Sequence, residues 1–305
     1  MTLLPLLFTV AGLGLFEIVS SVDNAIINAE VLHTMQPRAR RWFSVWGLFI
    51  AVFLVRGLLP WAILWAVNPL LSPWQALSAS FSSDPGVLRA VEVSAPILLA
   101  GGGTFLIFLF FHWLFLEPKS FGLIGEQFFQ KQGVWFYAVA SLLLTGIVWF
   151  ALKLNPLMAF GAVIGSTAFF ITHGFKQHAE SDEQRLMSGH SDVSKVLYLE
   201  IIDATFSIDG VLGAFAFTLS VPLILIGNGL GAFVVRQLTI HNIEKIKQYR
   251  FLKNGAMYSV LCLGVIMLLD SFGFHVPSWL SPLATFVVVG YFYLKSSGTS
   301  ILVTS

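Results

Sequence analysis

The sequence predicts an all-α polytopic membrane protein with about nine transmembrane helices, within a range of seven to nine, and three observations carry that prediction. The 305 residues are 56% hydrophobic and only 11% charged, with 29 Phe and 9 Trp and a mean hydropathy of +0.82, a composition foreign to water-soluble domains. Apolar runs long enough to cross a hydrocarbon core of ~30 Å recur along the whole chain. The basic residues fall almost entirely on alternate connections between those runs, as expected of a multi-pass chain. A net charge of +1 with no basic stripe leaves no nucleic-acid footprint, and the single Cys262 excludes an intramolecular disulfide or a thiolate cluster.

Taken in order, the candidate spans are 3–33, 42–67, 91–116, 134–152, 157–175, 194–220, 222–241, 253–270 and 277–294. The start lacks a basic n-region and its apolar run leads straight into Glu17, so it reads as the first span and not as a signal peptide. Gly101, Gly102 and Gly103 in the third span are expected to permit close helix packing. The fourth and fifth spans meet at Lys153–Pro156, either a tight turn or a proline kink. His173, His178 and His190 fall at no metal-ligand spacing and read as a solvated inner loop. With the N-terminus outside, thirteen basic residues lie on inner connections and the tail, against only Arg89 and Lys153 outside. The expectation is a multi-pass protein of the cell inner membrane, N-terminus outside and C-terminus cytoplasmic.

Two stretches carry the chemistry. Glu17, Ser21, Asp23, Asn24 and Asn28 interrupt the first span, and Asp203, Ser207 and Asp209 repeat the frame acid, four residues to Ser, six residues to Asp, in the sixth span, with Glu200 one turn earlier. Gly47 and Arg56 in the second span are matched by Gly227 and Arg236 in the seventh. Spans one and two, approximately residues 3–67, thus resemble spans six and seven, approximately 194–241, in opposite orientation within a single transporter domain of residues 1–305. Inverted repeats of this kind place a substrate site near the bilayer midplane at the repeat interface.

Helix geometry predicts which groups converge. Glu17, Ser21, Asn24 and Asn28 line one face of span one, and Glu200, Asp203 and Ser207 one face of span six. Asp23 and Asp209 sit about 100° from these stripes, bordering the same cavity or marking breaks at Asp23-Asn24 and Asp209-Gly210. Five carboxylates against two arginines leave about three negative charges uncompensated. Each ionised group at mid-bilayer costs roughly 2.5–3.5 kcal/mol, so the excess calls for protons or a bound cation. Carboxylate, amide and hydroxyl oxygens are hard ligands suited to Mn²⁺, Mg²⁺ or Ca²⁺. Arg56 and Arg236 read as structural counter-ions, and Ser21 and Ser207 as supporting groups.

Glu17-x3-Ser21-x-Asp23-Asn24, Arg56-Gly57, Asp203-x2-Phe206-Ser207-x-Asp209 and Arg236 resemble the paired signatures of the TerC family of integral membrane proteins. The resemblance covers both repeat halves, about a third of the chain closely. It implies a transporter-like fold whose intramembrane carboxylates bind a divalent metal, in a family several of whose members are associated with manganese efflux. Carried over residue by residue, it implies a site at Glu17, Asp23, Asn24, Asp203 and Asp209. Gly210 departs from the pattern by replacing a small polar residue, and extra spans separate the halves.

The resulting expectation is a non-enzymatic exporter of a divalent cation, Mn²⁺ first, with metal ligands Glu17, Asp23, Asn24, Asn28, Glu200, Asp203 and Asp209. Its partners are the lipid bilayer and the transported ion, without a resident cofactor. The sequence sets neither oligomeric state nor coupling ion, though proton antiport suits clustered carboxylates. An exporter of organic cations or amino acids would need a larger, aromatic-lined cavity, and a non-transporting envelope-stress protein would need none of these acids.

Overall fold

The computed structural model describes the backbone of residues 3–303 apart from 48, 69–70, 80–83, 120–121, 124, 188–190 and 242–248, and their side chains apart from 23, 27, 44, 53, 178–187, 206, 240–241 and 298–303. In chain order the helices are α1 (Leu3–Ser20), α2 (Val22–His33), α3 (Pro37–Trp42), α4 (Arg56–Val67), α5 (Pro73–Ser78), α6 (Pro85–Leu116), α7 (Glu126–Lys131), α8 (Trp135–Leu154), α9 (Pro156–Met187), α10 (Asp192–Ala214), α11 (Val221–His241), α12 (Leu252–Ser271) and α13 (Leu280–Val303). There is no strand among the described residues. Proline opens α3, α5, α6 and α9, where its missing N–H is no loss and its fixed φ suits the first turn. Ser72 and Asp84 cap the N-termini of α5 and α6 through side-chain oxygens.

Seven helical segments among the described residues are long and apolar enough to cross a membrane: Leu3–Ser20, Pro37–Val67, Pro85–Leu116, Trp135–Leu154, Pro156–Gln177, Val221–Thr239 and Leu252–Ser271. The chain is therefore an all-α multi-pass membrane protein. Helices α10 and α13, of 23 and 24 residues, pack among these seven, and α10 carries the acids. Leu142, Trp149, Phe160 and Val287 are among many large apolar side chains left exposed on the outside of the bundle, the surface a lipid environment covers.

Three departures from the expected spans bear on the site. The first span is interrupted at Ser21, between α1 and α2, two residues before the expected Asp23-Asn24 break. In the second, two π-helical stretches, Phe43–Gly47 and Ile50–Val55, precede α4; such widened turns are frequent at functional positions. Helix α10 runs unbroken through Asp209-Gly210, so the break expected there does not exist. Lys153–Pro156 is a turn and not a kink: α8 ends at Leu154, and the Asn155 side chain accepts from the Leu157 N–H at the start of α9.

Helix α6 is central, packed against α9 on one side and α12 on the other. Its glycines make this possible. A Cβ at Gly101 would lie 2.8 Å from the Gly161 carbonyl oxygen, and one at Gly165 only 2.0 Å from that of Gly101. The α6–α9 seam is thus backbone against backbone, which membrane helices achieve with small residues. Gly165→Ala is expected to destabilise the protein by about 1–3 kcal/mol or more, because the clashing atom belongs to a helix backbone that cannot rotate away. Gly146 on α8 has nothing within 4 Å of such a Cβ, and Gly146→Ala should leave the unfolding midpoint in detergent unchanged. Equal midpoints for the two variants would refute the seam.

Candidate functional site

Glycine seams also bring α1, α10 and α11 together around Glu17. A Cβ at Gly231 of α11 would come within 2.6 Å of Glu17 Cβ, and one at Gly210 of α10 within 2.9 Å of Glu17 Oε2. Gly210, the departure from the expected motif, is therefore the position where α10 lets the Glu17 carboxylate pass. Along these contacts Leu13 and Glu17 meet Gly227 and Gly231, while Phe16, Glu17 and Asn24 meet Gly213, Gly210 and Asp203. Helices α1 and α11 run in the same direction and α10 runs against them.

Glu17 is 1% exposed. Its Oε1 accepts from Arg56 Nη2 at 2.6 Å, Arg56 Nε at 3.0 Å and Ser21 Oγ at 2.7 Å. Arg56 also donates to the Ala51 carbonyl oxygen at 3.3 Å, which the π-helical stretch presents beside it. Asp203, also buried, accepts through Oδ1 from Asn24 Nδ2. Its Oδ2 lies 3.9 Å from both Arg56 Nη1 and Arg236 Nη2. The Arg236 guanidinium lies over the Phe43 ring at 3.9 Å, and its Nη1 has no hydrogen-bond partner.

These groups surround a cavity of about 20 Å³, room for one water or one small ion. Glu17, Ser21, Asn24, Asn28, Ala51, Arg56, Asp203, Arg236 and Thr239 line it, together with small apolar side chains. The buried oxygens Asn24 Oδ1 and Asn28 Oδ1 accept no hydrogen bond, although unsatisfied buried acceptors are rare and costly. Two carboxylates, two amide oxygens and a serine hydroxyl form a hard donor set around ion-sized space. Among the described residues no aromatic side chain lines it.

The contacts recur in pairs. Arg56 with Glu17 is matched by Arg236 with Asp203, and Asn24 with Asp203 by Gly210 with Glu17. Gly47 against Glu200 is likewise matched by Gly227 against Leu13, next to Gly14. Shifting residues of α1 and α2 by 186 and those around Arg56 by 180 interchanges the members of the first two pairs and relates Glu200 to Gly14 in the third, as an approximate two-fold axis does.

Not every predicted ligand arrives. Glu200 lies outside the cavity wall, its carboxylate oxygens buried without hydrogen-bond partners; Oε1 would lie 2.0 Å from a Cβ at Gly47, and Arg236 and Asp203 are the charges acting on it. Ser207 donates to the Asp203 carbonyl oxygen of its own helix and contributes nothing to the cavity. Asp209 is absent from the wall; the charges acting on it are Lys176 and Glu117, on another side of α10. The Asp23 side chain lies outside the described residues, so the expected meeting of Asp23 and Asp209 has no geometry here. Among the described residues no three His, Cys, Asp or Glu side chains are grouped to hold a metal. Among the described residues the two acids at the cavity meet two arginines.

Other groups escaped the sequence reading. Asn228 is fully buried with both side-chain polar atoms unpartnered, one helical turn before Ala232 on the same face of α11. Glu126 of α7 is buried, accepting from Asn254 and Tyr258. His173 is not in a solvated loop: it stands inside α9 with its ring 3.6 Å from that of His112 and stacked on Phe169. His178 and His190 lie outside the described side chains.

Near this histidine pair, Glu117 meets Lys253 Nζ at 2.5 Å. Burial alone would raise the Glu117 carboxyl, but Lys253, reinforced by Lys176, holds it below the ordinary carboxylate range. A depressed carboxylate stabilises the fold above its unfolded value and loses that contribution as pH falls through the folded one. Glu117→Gln should therefore be less stable than the parent at pH 7, with the difference shrinking as pH falls below the ordinary carboxylate value of about 4.5. A difference independent of pH in detergent melting curves would refute the pairing.

The chain matches, over residues 22–300, the model of a family described as a protein of unknown function, DUF475, and it belongs to that family. The match supports this membership and lends nothing to the TerC name. Comparison with curated proteins and with solved structures gives no match.

Proposed function

We propose that this member of the DUF475 family is a secondary transporter that exports a small divalent cation, with Glu17, Asn24, Asn28 and Asp203 as the ligands in the membrane. The observation that carries this reading is the pair of unpartnered amide oxygens, Asn24 Oδ1 and Asn28 Oδ1, buried at an ion-sized cavity that also holds two carboxylates. Size and lining favour an ion over an amino acid or organic cation, which would need several hundred Å³ and apolar or aromatic walls. Hard oxygen donors suit Mn²⁺, Mg²⁺ and Ca²⁺ alike, and Mn²⁺ is placed first because of the resemblance to TerC signatures. The chain is proposed to lie in the inner membrane with its N-terminus outside, on the strength of its basic-residue distribution.

In this reading Arg56 and Arg236 stand in for the cation when it is absent, giving Glu17 and Asp203 a counter-charge that lipid does not supply. A doubly charged ion entering a neutral set must displace a guanidinium. Arg236 is the one suited to leave, because its contact to Asp203 is 3.9 Å and the unpartnered Glu200 carboxylate lies on its other side. Asp23, next to Asn24 in sequence, would supply further negative charge. The paired contacts relating the two repeat halves support alternating access by exchange of equivalent packings.

The opposing reading is a permanent structural bridge, favoured by the two Arg56 N–H groups that donate to Glu17 Oε1. Reconstitution into vesicles loaded with a Mn²⁺-quenched dye separates the two. Transport predicts quenching above empty vesicles, slowed by competing divalent ions. Quenching no faster than in empty vesicles would leave the bridge as the function of these residues.

A further inference from the structure

Asn228 of α11 is fully buried, and neither its amide oxygen nor its amide nitrogen has a hydrogen-bond partner. We propose that it is a transit ligand for the cation: its amide oxygen receives the ion as it leaves the cavity toward the N-terminal end of α11, the end that the proposed orientation places outside. This rests on the transport reading, to which it adds a second, weaker ligand position on the same route.

Helix phase and the neighbouring seams place the amide. In a regular helix Asn228 lies within about 40° of Ala232, Val235 and Thr239, and about 6 Å before Ala232 along the axis. All three of those residues line the cavity. A Cβ at Gly227 would come 2.5 Å from Leu13 Cβ of α1, and one at Gly229 3.1 Å from Val52 Cγ1 in the π-helical stretch before α4. Asn228 is thus flanked by a seam with the first span and a seam with the second. The cavity lies between the same spans one turn further on, where Glu17, Ala51 and Arg56 line it. In the other direction the stripe continues as Ile224 and Val221, buried with Leu13 in the apolar core, so Asn228 is its last polar side chain before the bundle closes.

Burying an amide without partners destabilises a fold, and a leucine of the same branching would not. What the amide supplies is an oxygen where a divalent ion would otherwise meet only hydrocarbon. A neutral ligand suits this place, because passage needs positions that bind well enough to enter and weakly enough to leave.

The test compares Asn228→Leu, Asn228→Ala and Asn228→Ser with the full-length parent in three measurements: Mn²⁺ flux into dye-loaded vesicles, Mn²⁺ binding by loss of the free-ion magnetic resonance signal, and the unfolding midpoint. Asn228→Leu should transport about tenfold more slowly or worse, while binding Mn²⁺ within about threefold of the parent. Its midpoint should rise by roughly 2–4 °C, since the unpartnered amide is gone. Asn228→Ala and Asn228→Ser leave nearly the same space and differ by one oxygen, so the serine variant should be the faster of the two whatever either does to stability. Parental flux in Asn228→Leu, or equal flux in the alanine and serine variants, would overturn the proposal. Binding lost in proportion to flux would overturn the separate position and put Asn228 in the cavity site. A parent that moves no Mn²⁺ would overturn the transport reading and this proposal together, an outcome distinct from a transporting parent beside an equally active Asn228→Leu.

Discussion

Glu17→Gln is expected to lower the unfolding midpoint of the detergent-solubilised protein by on the order of 10 °C, the largest stability effect of any single substitution considered. Glu17 and Arg56 are 1% and 3% exposed, so neither charge has water to fall back on. Removing one partner of such a pair costs about 3–5 kcal/mol, because the other is left buried and uncompensated. Asp203, 3.9 Å from Arg56 Nη1 and shared with Arg236, is too distant to replace the two lost hydrogen bonds to Glu17 Oε1. The double variant Glu17→Gln with Arg56→Met should recover much of the loss, since removing both charges removes the unpaired one. A single variant as stable as the parent would mean that the pair does not hold α1 to α4.

Asp203→Asn is expected to abolish cation transport while costing less stability than Glu17→Gln. Its contacts to the arginines are longer, and an asparagine oxygen still accepts from Arg56 or Arg236. Mutation of outer-shell partners already lowers metal affinity 10–100-fold, so losing a charged ligand should reduce flux by roughly 100-fold or more. Asp209→Asn serves as the contrast. Sequence symmetry alone would make it a ligand, but its position away from the cavity predicts Mn²⁺ binding close to that of the parent. Normal flux in Asp203→Asn, with a large stability loss, would identify a structural bridge and remove the metal site.

The membrane-spanning organisation was legible because lipid imposes long apolar runs and basic loops irrespective of tertiary detail. Helical periodicity also placed Glu17, Ser21, Asn24 and Asn28 on one face, and all four line the cavity. It did less well on α10, where of Glu200, Asp203 and Ser207 only Asp203 reaches the wall. A face spans several residues, but the crossing of two helices brings only one or two of them to the contact, and that crossing depends on glycine seams at Gly210, Gly213 and Gly231. One member of the charge sum lies elsewhere for a related reason: Asp209 sits among the charges at the ends of α6 and α9, while the Asp23 side chain lies outside the described residues. His112 was a readable signal, a lone imidazole inside an apolar run, but its meeting with His173 depends on the α6–α9 seam and has no trace in local spacing.

The central claim is that Glu17, Asn24, Asn28 and Asp203 together hold one divalent cation. Titration of the purified full-length protein with Mn²⁺, followed by the loss of the six-line magnetic resonance signal of the free ion, tests it without requiring transport. The account predicts one ion bound per chain, binding lost in Asp203→Asn and weakened in Asn28→Ala, and binding retained in Asp209→Asn. A free-ion signal that stays undiminished by the parent protein, or an Asp203→Asn variant that binds as the parent does, would contradict it.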